Sequence, residues 1–373
     1  MSKKIKILIV TTVKIGYDGL TNHILTYIKN MDKKDLEIDL VSARGIDDKI
    51  KTKLEDTGFN NIYRLEYRDT NQFNYFNDLR HLIKKNRYDI LHAHGNSATL
   101  AVEMLAGFLG GCKIRIAHSH NSSCEHKVFN MLLKPLFRLF YTEAFACSKE
   151  AGKWLFGNKD FKIIPNGIEV EKYRFNNQKR KKYRELLNID EDCIALGNVA
   201  AFVEKKNHRF IVDVFSDLLK SNNKYKMYLF GIEGESLNKV KKQINKLNLN
   251  NNIFIMGTKD NINDYLQAMD IMLLPSIYEG FPISVIEWQA CGLPCILSKN
   301  ITQDTDIIGN VYYLPIDKGI EPWKNKILEM KIDEKRRDFY SIKRIFIERG
   351  FDIKNNAEFL RNLYIQYKER KYV

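Results

Sequence analysis

The stretch LLPSIYEGFPISVIEWQACGLPCILS, residues 273–298, contains the signals that decide the fold. It opens with an apolar run that ends at Pro275, and a helix is predicted to begin near Pro282, because proline is favoured in the first turn of a helix. A second apolar run, Cys295–Ser298, follows after a Gly-Leu-Pro turn. A strand, a helix and a second strand in this order predict a β-α-β unit, whose two strands are parallel members of one sheet.

The same alternation of short β-branched runs and longer helical stretches occurs on both sides of this unit. The runs have the continuous apolar character of strands that are buried on both faces. In the first half they are Lys6–Thr12, Leu36–Ala43, Asp89–Gly95, Lys113–His120 and Ala144–Ser148, and in the second half Cys193–Ala200, Lys226–Gly231, Ile253–Gly257, Ile271–Ser276 and Cys295–Ser298. The pattern therefore predicts an α/β protein with two Rossmann-like domains that face each other across a cleft.

A Pro-Asn-Gly turn at residues 165–167, followed by a highly charged stretch, marks the predicted boundary between the domains. We predict a first domain at 1–167, a second at 168–350 and a closing segment at 351–373. The closing segment is predicted to form a helix that returns to pack on the first domain. The apolar positions of that helix are Phe359, Leu360, Leu363, Tyr364 and Tyr367, which we place on one face.

Composition excludes several classes of protein. With 44% hydrophobic and 28% charged residues in a chain of 373, the sequence is that of an ordinary globular protein, and we expect it to be cytoplasmic because no apolar run reaches the roughly 18 residues that span a bilayer. The six cysteines form no C-x-x-C pair, which argues against a zinc ribbon. A net charge of +14 favours anionic partners.

The loop between Pro275 and Pro282 carries the chemistry of the opening stretch. A helix start offers unpaired backbone amides and the positive end of the helix dipole, so the amides of 283–285 are candidates for holding a diphosphate. Glu279 precedes the helix and Glu287 lies in its second turn, so the two carboxylates contact different parts of one hydroxyl-rich ligand in this interpretation.

On these residues the chain resembles the retaining GT-B glycosyltransferases of family 4, group 1, which use nucleotide sugars and include enzymes of bacterial capsule and surface-polysaccharide synthesis. The resemblance covers nearly the whole chain, and its E-x7-E motif is Glu279 to Glu287. Further matches, in the same order along the chain, are the early glycine turn at Gly19, DILHAHG at 89–95, RIAHSHN at 115–121, ACSKEAGKWLFG at 146–157, PNGIE at 165–169 and EKKNH at 204–208.

The resemblance implies roles for particular residues. Glu279 contacts the donor sugar, Glu287 the ribose and Lys206 the donor phosphates, and His120 is the histidine of the sugar pocket, with His118 as the alternative. We assign catalytic roles to His120, Lys206 and Glu279, and acceptor-side positions to His94 and His118. The candidate donor-binding residues are Gly19, Lys206, Thr258, Asn261, Glu279, Gly280, Phe281, Pro282, Ile283, Ser284, Val285 and Glu287.

One departure from the family pattern concerns the second phosphate-binding cation. Family members usually carry Gly-Arg-Phe shortly before the lysine, whereas this chain has Ala200, Ala201 and Phe202. The missing arginine corresponds to roughly 1.5 to 3 kcal/mol of binding to phosphate. Lys205 and Arg209 are the nearby cations that we consider as replacements.

No cofactor and no essential metal are expected beyond the nucleotide sugar, for which UDP is the carrier that the resemblance favours. Asp304 and Asp306 form a D-x-D pair, but it follows a second-domain strand and lacks the context of a metal-binding signature. Nucleic acid is not an expected partner, because no recognition motif is present. The basic, apolar segment 126–144 predicts contact with the inner face of an anionic membrane, although packing on the first sheet explains its apolar residues equally well.

These features predict a transferase that moves a sugar to a hydroxyl of a glycan or lipid-linked acceptor, with closure about Asn166 and Gly167. Two alternatives remain open. A noncatalytic sugar-nucleotide-binding subunit would explain Ala201, and a UDP-sugar epimerase shares the two-domain fold. The sequence leaves the donor sugar, the acceptor and the linkage undetermined.

Overall fold

A computed structural model describes residues 4–121, 123–124, 127–279, 281–330 and 338–370 of the chain. The chain divides into two compact units, Met1–Gly167 with Gly350–Val373, and Ile168–Arg349. Each unit is built around one parallel sheet with helices, so the predicted fold of two Rossmann-like α/β domains is confirmed.

The first unit holds a seven-stranded sheet in the order β3-β2-β1-β4-β5-β6-β7. Its strands are β1 Ile5–Thr11, β2 Leu36–Ser42, β3 Ile62–Arg64, β4 Ile90–Gly95, β5 Ile114–Ser119, β6 Glu143–Ala146 and β7 Lys162–Ile163. The α-helices of its main segment are α1 Gly19–Asn30, α2 Lys51–Glu55, α3 Gln72–Asn86, α4 Ala101–Leu109, α5 Lys127–Phe140 and α6 Lys149–Phe156. All paired strands run parallel.

The second unit holds a six-stranded parallel sheet in the order β10-β9-β8-β11-β12-β13. Its strands are β8 Ile194–Val199, β9 Tyr225–Phe230, β10 Ile253–Gly257, β11 Ile271–Leu274, β12 Cys295–Ser298 and β13 Val311–Leu314. Its α-helices are α7 Asn177–Leu186, α8 His208–Ser221, α9 Leu237–Lys246, α10 Ile262–Tyr265, α11 Ile283–Ala290, α12 Glu321–Glu329 and α13 Phe339–Glu348, and α14 Ile353–Glu369 belongs to the first unit.

Alternating residues of the central strands fill two separate cores in the first unit. Ile7 and Ile9 of β1 pack in one core with α1 and α14, whereas Leu8 and Val10 face the other core with α3 and α4. This alternation is the period of two that strand geometry imposes on side chains. A strand covered on both faces must be apolar throughout, which explains why these runs are recognisable in the sequence.

The closing helix α14 contributes Leu360, Leu363, Tyr364 and Tyr367 to the core of the first unit. The prediction that Phe359 lies on the same face is wrong, because this side chain is 49% exposed. Successive helical residues are turned by about 100°, so Phe359 lies off the buried stripe that Leu360 occupies. Ala357 and Ile353 extend the stripe about one and two turns before Leu360.

Candidate active site

The loops after β8 and β11 lie beside each other in the second unit. The two strands are neighbours, and the strand order reverses between them, since β9 flanks β8 while β12 flanks β11. Such a switch point is where open α/β sheets bind ligands. The amide of Ile277 donates to the carbonyl of Lys205 at 2.8 Å, and the side chain of Asn207 donates to the carbonyl of Pro275 at 3.3 Å.

These ties bring Lys206 and Glu279 together although 73 positions separate them. The ammonium of Lys206 donates to Oε2 of Glu279, and the two side chains are 14% and 16% exposed. A β-bridge between Glu279 and Ile301 fixes the backbone of the carboxylate. Both side chains keep part of their surface in solvent, and an ammonium and a carboxylate are the groups that make charge-assisted hydrogen bonds to phosphate oxygens and to hydroxyls.

Helix α11 begins at this pair. Pro282 takes the cap position with an extended backbone, and Ile283 is the first helical residue, within one position of the prediction. The amide of Val285 donates to the carbonyl of Pro282 at 3.1 Å, so it is already engaged. The amides of Ile283 and Ser284 have no earlier turn of helix to accept from them, and they remain the candidates for binding an anion.

The surroundings of that helix start include its own first turn and the loop that precedes it. The first turn of α11 carries no acidic side chain that would repel phosphate. Phe281 is half-buried, and Gly280 lies outside the described residues. The loop before Glu279 is fixed further by the side chain of Asn300, which donates to the carbonyl of Ile277 at 2.8 Å.

The second glutamate of the motif has a partner that the sequence did not reveal. Tyr173 is the last residue of a 3-10 helix over Val170–Tyr173, and its hydroxyl donates a hydrogen bond to the side chain of Glu287. Burial and the charge of Glu287 raise the pKa of the Tyr173 hydroxyl well above its ordinary value, so it remains a proton donor. The tyrosine therefore positions the carboxylate that the family resemblance assigns to the ribose.

The other donor-binding candidates lie in separate loops. Thr258 is exposed after β10, and the side chain of Asn261 donates to the hydroxyl of Tyr183 at 2.7 Å. In the described chain neither residue is hydrogen-bonded to Lys206 or Glu279. Gly19 is the first residue of α1 in the first unit, directly after its cap Asp18.

The segment that replaces the family arginine is tightly packed against the loop after β9. A Cβ atom at Gly231 would lie 1.8 Å from the carbonyl oxygen of Ala200, so only glycine fits there. Of the two cations considered as replacements, Arg209 donates through Nε to Gln243 at 3.3 Å and Lys205 has an exposed side chain. Arg209 is thus engaged on the surface between α8 and α9.

The D-x-D pair serves to shape turns. Asp304 accepts from the hydroxyl of Thr302 at 3.3 Å, and Asp306 accepts from the amide of Gly309 at 2.8 Å. Within the described ranges, the groups of side chains that are close enough to hold a metal ion contain only histidines. These groups lie in the first unit.

Five histidines cluster at the carboxyl ends of β4 and β5. His92 Nε2 lies 3.1 Å from His118 Nδ1, and His94 Nδ1 lies 2.8 Å from His120 Nε2. The rings of His118 and His120 stack at 4.2 Å, as the alternation of strand side chains predicts. The fifth member is His23 of α1, whose Nδ1 lies 2.8 Å from Oδ1 of Asn166.

Burial keeps this cluster neutral. Desolvation lowers the pKa of His23 to about 4 and that of His92 to about 3, and it lowers the pKa of the other three histidines well below 6.5. His94 and His118 are 3% and 0% exposed, whereas His120 is half-buried. His120, directly after β5, is therefore more accessible to a ligand than His118, and direct contact of His94 or His118 with an acceptor would require rearrangement.

Two open parallel sheets with helices are the architecture of the GT-B class of glycosyltransferases, and the second sheet has its candidate donor site at the strand switch point between β8 and β11. Residues 179–346 match the family described as glycosyl transferases group 1, and residues 17–172 match the one described as glycosyltransferase family 4. The two matches together cover most of the chain, which therefore belongs to the group 1 glycosyltransferases. This confirms the resemblance noted from the motifs.

Relatives from several bacteria align over most of the chain. EpsF of Bacillus subtilis, named as a glycosyltransferase, is 27% identical over 93% of both chains. The UDP-Gal:alpha-D-GlcNAc-diphosphoundecaprenol alpha-1,3-galactosyltransferase of Escherichia coli is 26% identical over 76% of this chain and 77% of its own. The capsular polysaccharide biosynthesis glycosyltransferase CapH of Staphylococcus aureus is 25% identical over 89% of this chain and 91% of its own.

Solved structures support the fold. A glycosyltransferase from Rickettsia africae superposes with a TM-score of 0.76 at 18% identity, covering 99% of this chain and all of the other. HepE of Anabaena, crystallised with UDP and glucose, superposes with a TM-score of 0.73 at 16% identity over 95% of this chain and 98% of its own.

Proposed function

We propose that this protein is a retaining glycosyltransferase that moves a sugar from a UDP-sugar to a hydroxyl of a glycan or lipid-linked acceptor in the synthesis of a cell-surface polysaccharide. The observation that carries the proposal is the pair of Lys206 and Glu279 beside the start of α11. The cation suits the charge of the diphosphate, and the helix amides suit its oxygens. The carboxylate suits the hydroxyls of the sugar.

In this proposal the second unit binds the donor and the first unit binds the acceptor. Lys206 and the amides of Ile283 and Ser284 neutralise the charge that develops on the diphosphate as the glycosidic bond breaks. A departing phosphate oxygen takes the proton of the acceptor hydroxyl, so the new bond forms on the same face of the sugar. No carboxylate nucleophile and no metal ion take part. His120 hydrogen-bonds the donor sugar as a neutral imidazole.

The relatives supply the support for the substrates. The Escherichia coli relative is named for a UDP-galactose donor and a diphosphoundecaprenol-linked acceptor, and the Staphylococcus aureus relative for capsular polysaccharide. The donor loop of this chain retains both glutamates of the motif and the lysine, which favours an active transferase over a noncatalytic binding subunit.

The test incubates the purified protein with a panel of UDP-sugars, with and without an undecaprenyl-diphosphate-sugar acceptor. We expect an acceptor-dependent product whose anomeric proton, by NMR, shows the configuration of the donor, and undiminished transfer in the presence of a chelator. Conversion of the sugar without any acceptor would identify an epimerase instead. Binding of UDP-sugars with no turnover of any of them would identify the noncatalytic subunit.

The proposal includes docking of helix α5 on the inner face of the membrane. Among the described residues, no helix is both long and apolar enough to cross a bilayer. The exposed apolar residues of α5 are Val128, Phe129, Met131, Leu132, Leu136 and Leu139. Phe137 of the same helix faces the core of the first unit. A helix with apolar and basic side chains exposed together fits an anionic bilayer surface.

A further inference from the structure

The histidine cluster of the first unit contains nitrogen atoms that nothing in the protein satisfies. Nε2 of His23, His94 and His118 is buried in each case, without a hydrogen-bond partner in the described chain. A buried polar atom without a partner is costly and calls for an explanation such as an ion or a water molecule. The three atoms lie in one compact group of rings.

We propose that His23, His118 and His120 form a binding site for a divalent transition-metal ion of the zinc class. Their ligand nitrogens all lie within 4.8 Å of one another. A tetrahedral ion with bonds of about 2.0 to 2.1 Å to nitrogen needs ligand atoms about 3.3 to 3.4 Å apart, so an ion would draw these nitrogens together by at most about 1.5 Å. Neutral imidazoles suit Zn²⁺, Cu²⁺, Ni²⁺ and Co²⁺, whereas Mg²⁺ and Ca²⁺ prefer oxygen.

The hydrogen bonds around the three ligands have the arrangement of an outer coordination shell. Nδ1 of His23 is held by Oδ1 of Asn166 at 2.8 Å, and Nδ1 of His118 by Nε2 of His92 at 3.1 Å. Since an amide oxygen can only accept, Nδ1 of His23 carries the proton and its Nε2 presents a lone pair. Metal-bound histidines characteristically donate their second nitrogen in this way.

The chain of proton donors behind His118 is compatible with the same state. If His118 Nδ1 donates to His92 Nε2, then His92 Nδ1 donates to the hydroxyl of Tyr364, which lies 2.7 Å away. Each of the two imidazoles then donates through one nitrogen, and the lone pair of His118 is left at the unpartnered Nε2. His120 bonds His94 through Nε2 at 2.8 Å, so its Nδ1 remains for the ion.

The ligands come from two elements of one unit. His23 lies in α1, and His118 and His120 lie at the end of β5, so an ion would link the helix to the sheet. His120 is the partly exposed ligand, which leaves a fourth position for water or a substrate oxygen. All three ligands belong to the first unit, and the proposed transfer step does not use the ion.

The test measures Zn²⁺ and Co²⁺ binding to untagged full-length protein after dialysis against a chelator. We expect one Zn²⁺ per chain by calorimetry and intense visible absorption bands of four-coordinate Co²⁺. His23→Gln should weaken Zn²⁺ binding by more than about tenfold, because loss of a mere outer-shell partner already costs about 10- to 100-fold in metal affinity and His23 is a direct ligand in this proposal. His81→Gln is the matched control, because His81 is an exposed histidine of α3 outside the cluster.

Equal Zn²⁺ affinity in wild type and His23→Gln would overturn the site. A wild-type Co²⁺ spectrum without intense bands would also overturn it, and that measurement does not depend on the folding of any variant. A transfer assay at saturating Zn²⁺ adds an arm that rests on the proposed function. Because the ion occupies His120, transfer should fall and recover with a chelator. Unchanged transfer by zinc-saturated protein would refute the role of His120 in transfer, while the binding data alone decide the metal site.

Discussion

Lys206 and Lys205 are adjacent residues whose side chains have different surroundings, and this contrast makes a sharp test. Lys206 pairs with Glu279 beside the start of α11, whereas the side chain of Lys205 is exposed. Lys206→Met should lower kcat by about 10² to 10³, as removal of a donor to developing negative charge does in other sites. Lys205→Met should change kcat by less than about fivefold.

The kcat of each variant is obtained from initial rates with the donor that the panel of UDP-sugars identifies. Circular dichroism checks that each variant is folded. Equal losses in the two variants would mean that the charge of the whole loop matters and that the pair with Glu279 has no special role. The backbone contact from Ile277 to the carbonyl of Lys205 survives either change, so the loop itself should keep its position.

Ala201 allows the converse experiment, a gain of binding. Its side chain is only partly buried, so a longer side chain can extend into solvent. Ala201→Arg restores the cation of the family pattern and should tighten UDP binding about tenfold to 100-fold, the value of a charge-assisted contact to phosphate. Calorimetry with UDP measures this, and Ala201→Met supplies the length without the charge. An arginine variant that binds no better than the methionine variant would contradict the prediction.

At the scale of single residues, the sequence predicts those parts of the site that lie in one continuous motif. Glu279, Pro282 and Glu287 are recognisable because the strand, loop and helix around them are local. Tyr173 and His23 were missed because their partners, Glu287 and the histidines of β4 and β5, are distant in sequence. A lone tyrosine or histidine on a helix gives no local signal of such a contact.

Among the strands, the buried central ones were predictable, and of the four edge strands β3, β7, β10 and β13 only β10 was predicted. β1, β4 and β8 have the continuous apolar runs that burial on two faces requires. β3, β7 and β13 were missed. β3 and β7 are edge strands of partly or fully exposed residues, and β13 is an edge strand of the second sheet with an exposed tyrosine. An edge strand can be short and polar because its neighbours supply most of its order.

Helix α14 offers a matched pair of substitutions that tests its packing on the first unit. Leu360 is 2% exposed in the core and Phe359 is 49% exposed. Leu360→Ala should lower the free energy of unfolding by about 2 to 5 kcal/mol through lost burial and a cavity. Phe359→Ala should change it by less than about 0.5 kcal/mol.

Urea unfolding followed by circular dichroism measures both values. If α14 were only loosely attached to the first unit, Leu360→Ala would cost no more than Phe359→Ala. The two positions are neighbours in one helix, and the helix propensities of leucine and phenylalanine differ by less than about 0.7 kcal/mol, so propensity and chain position cannot account for a gap of about 2 kcal/mol or more.

For the membrane docking proposed above, the net charge of +14 and the exposed apolar face of α5 favour the same partner, an anionic bilayer. Each basic residue near an anionic surface contributes about 1 kcal/mol, and this attraction acts over a Debye length of about 8 Å at physiological salt. Charge alone gives weak and salt-sensitive adsorption. Insertion of apolar side chains makes the contact oriented, because it selects the face of the first unit that carries α5.

We therefore expect the protein to sediment with vesicles containing phosphatidylglycerol but not with neutral phosphatidylcholine vesicles, and to be released only partly by high salt. Leu132 of α5 is 65% exposed, and Leu186 of α7, in the second unit, is 59% exposed. Burial of one leucine in the bilayer surface is worth about 1.5 to 3 kcal/mol, so Leu132→Asp should weaken vesicle binding at least about tenfold. Leu186→Asp removes the same apolar side chain and adds the same charge, and it should leave binding within about threefold of the wild type. Equal losses in the two variants would show that net charge alone holds the protein on the vesicle and that α5 does not dock.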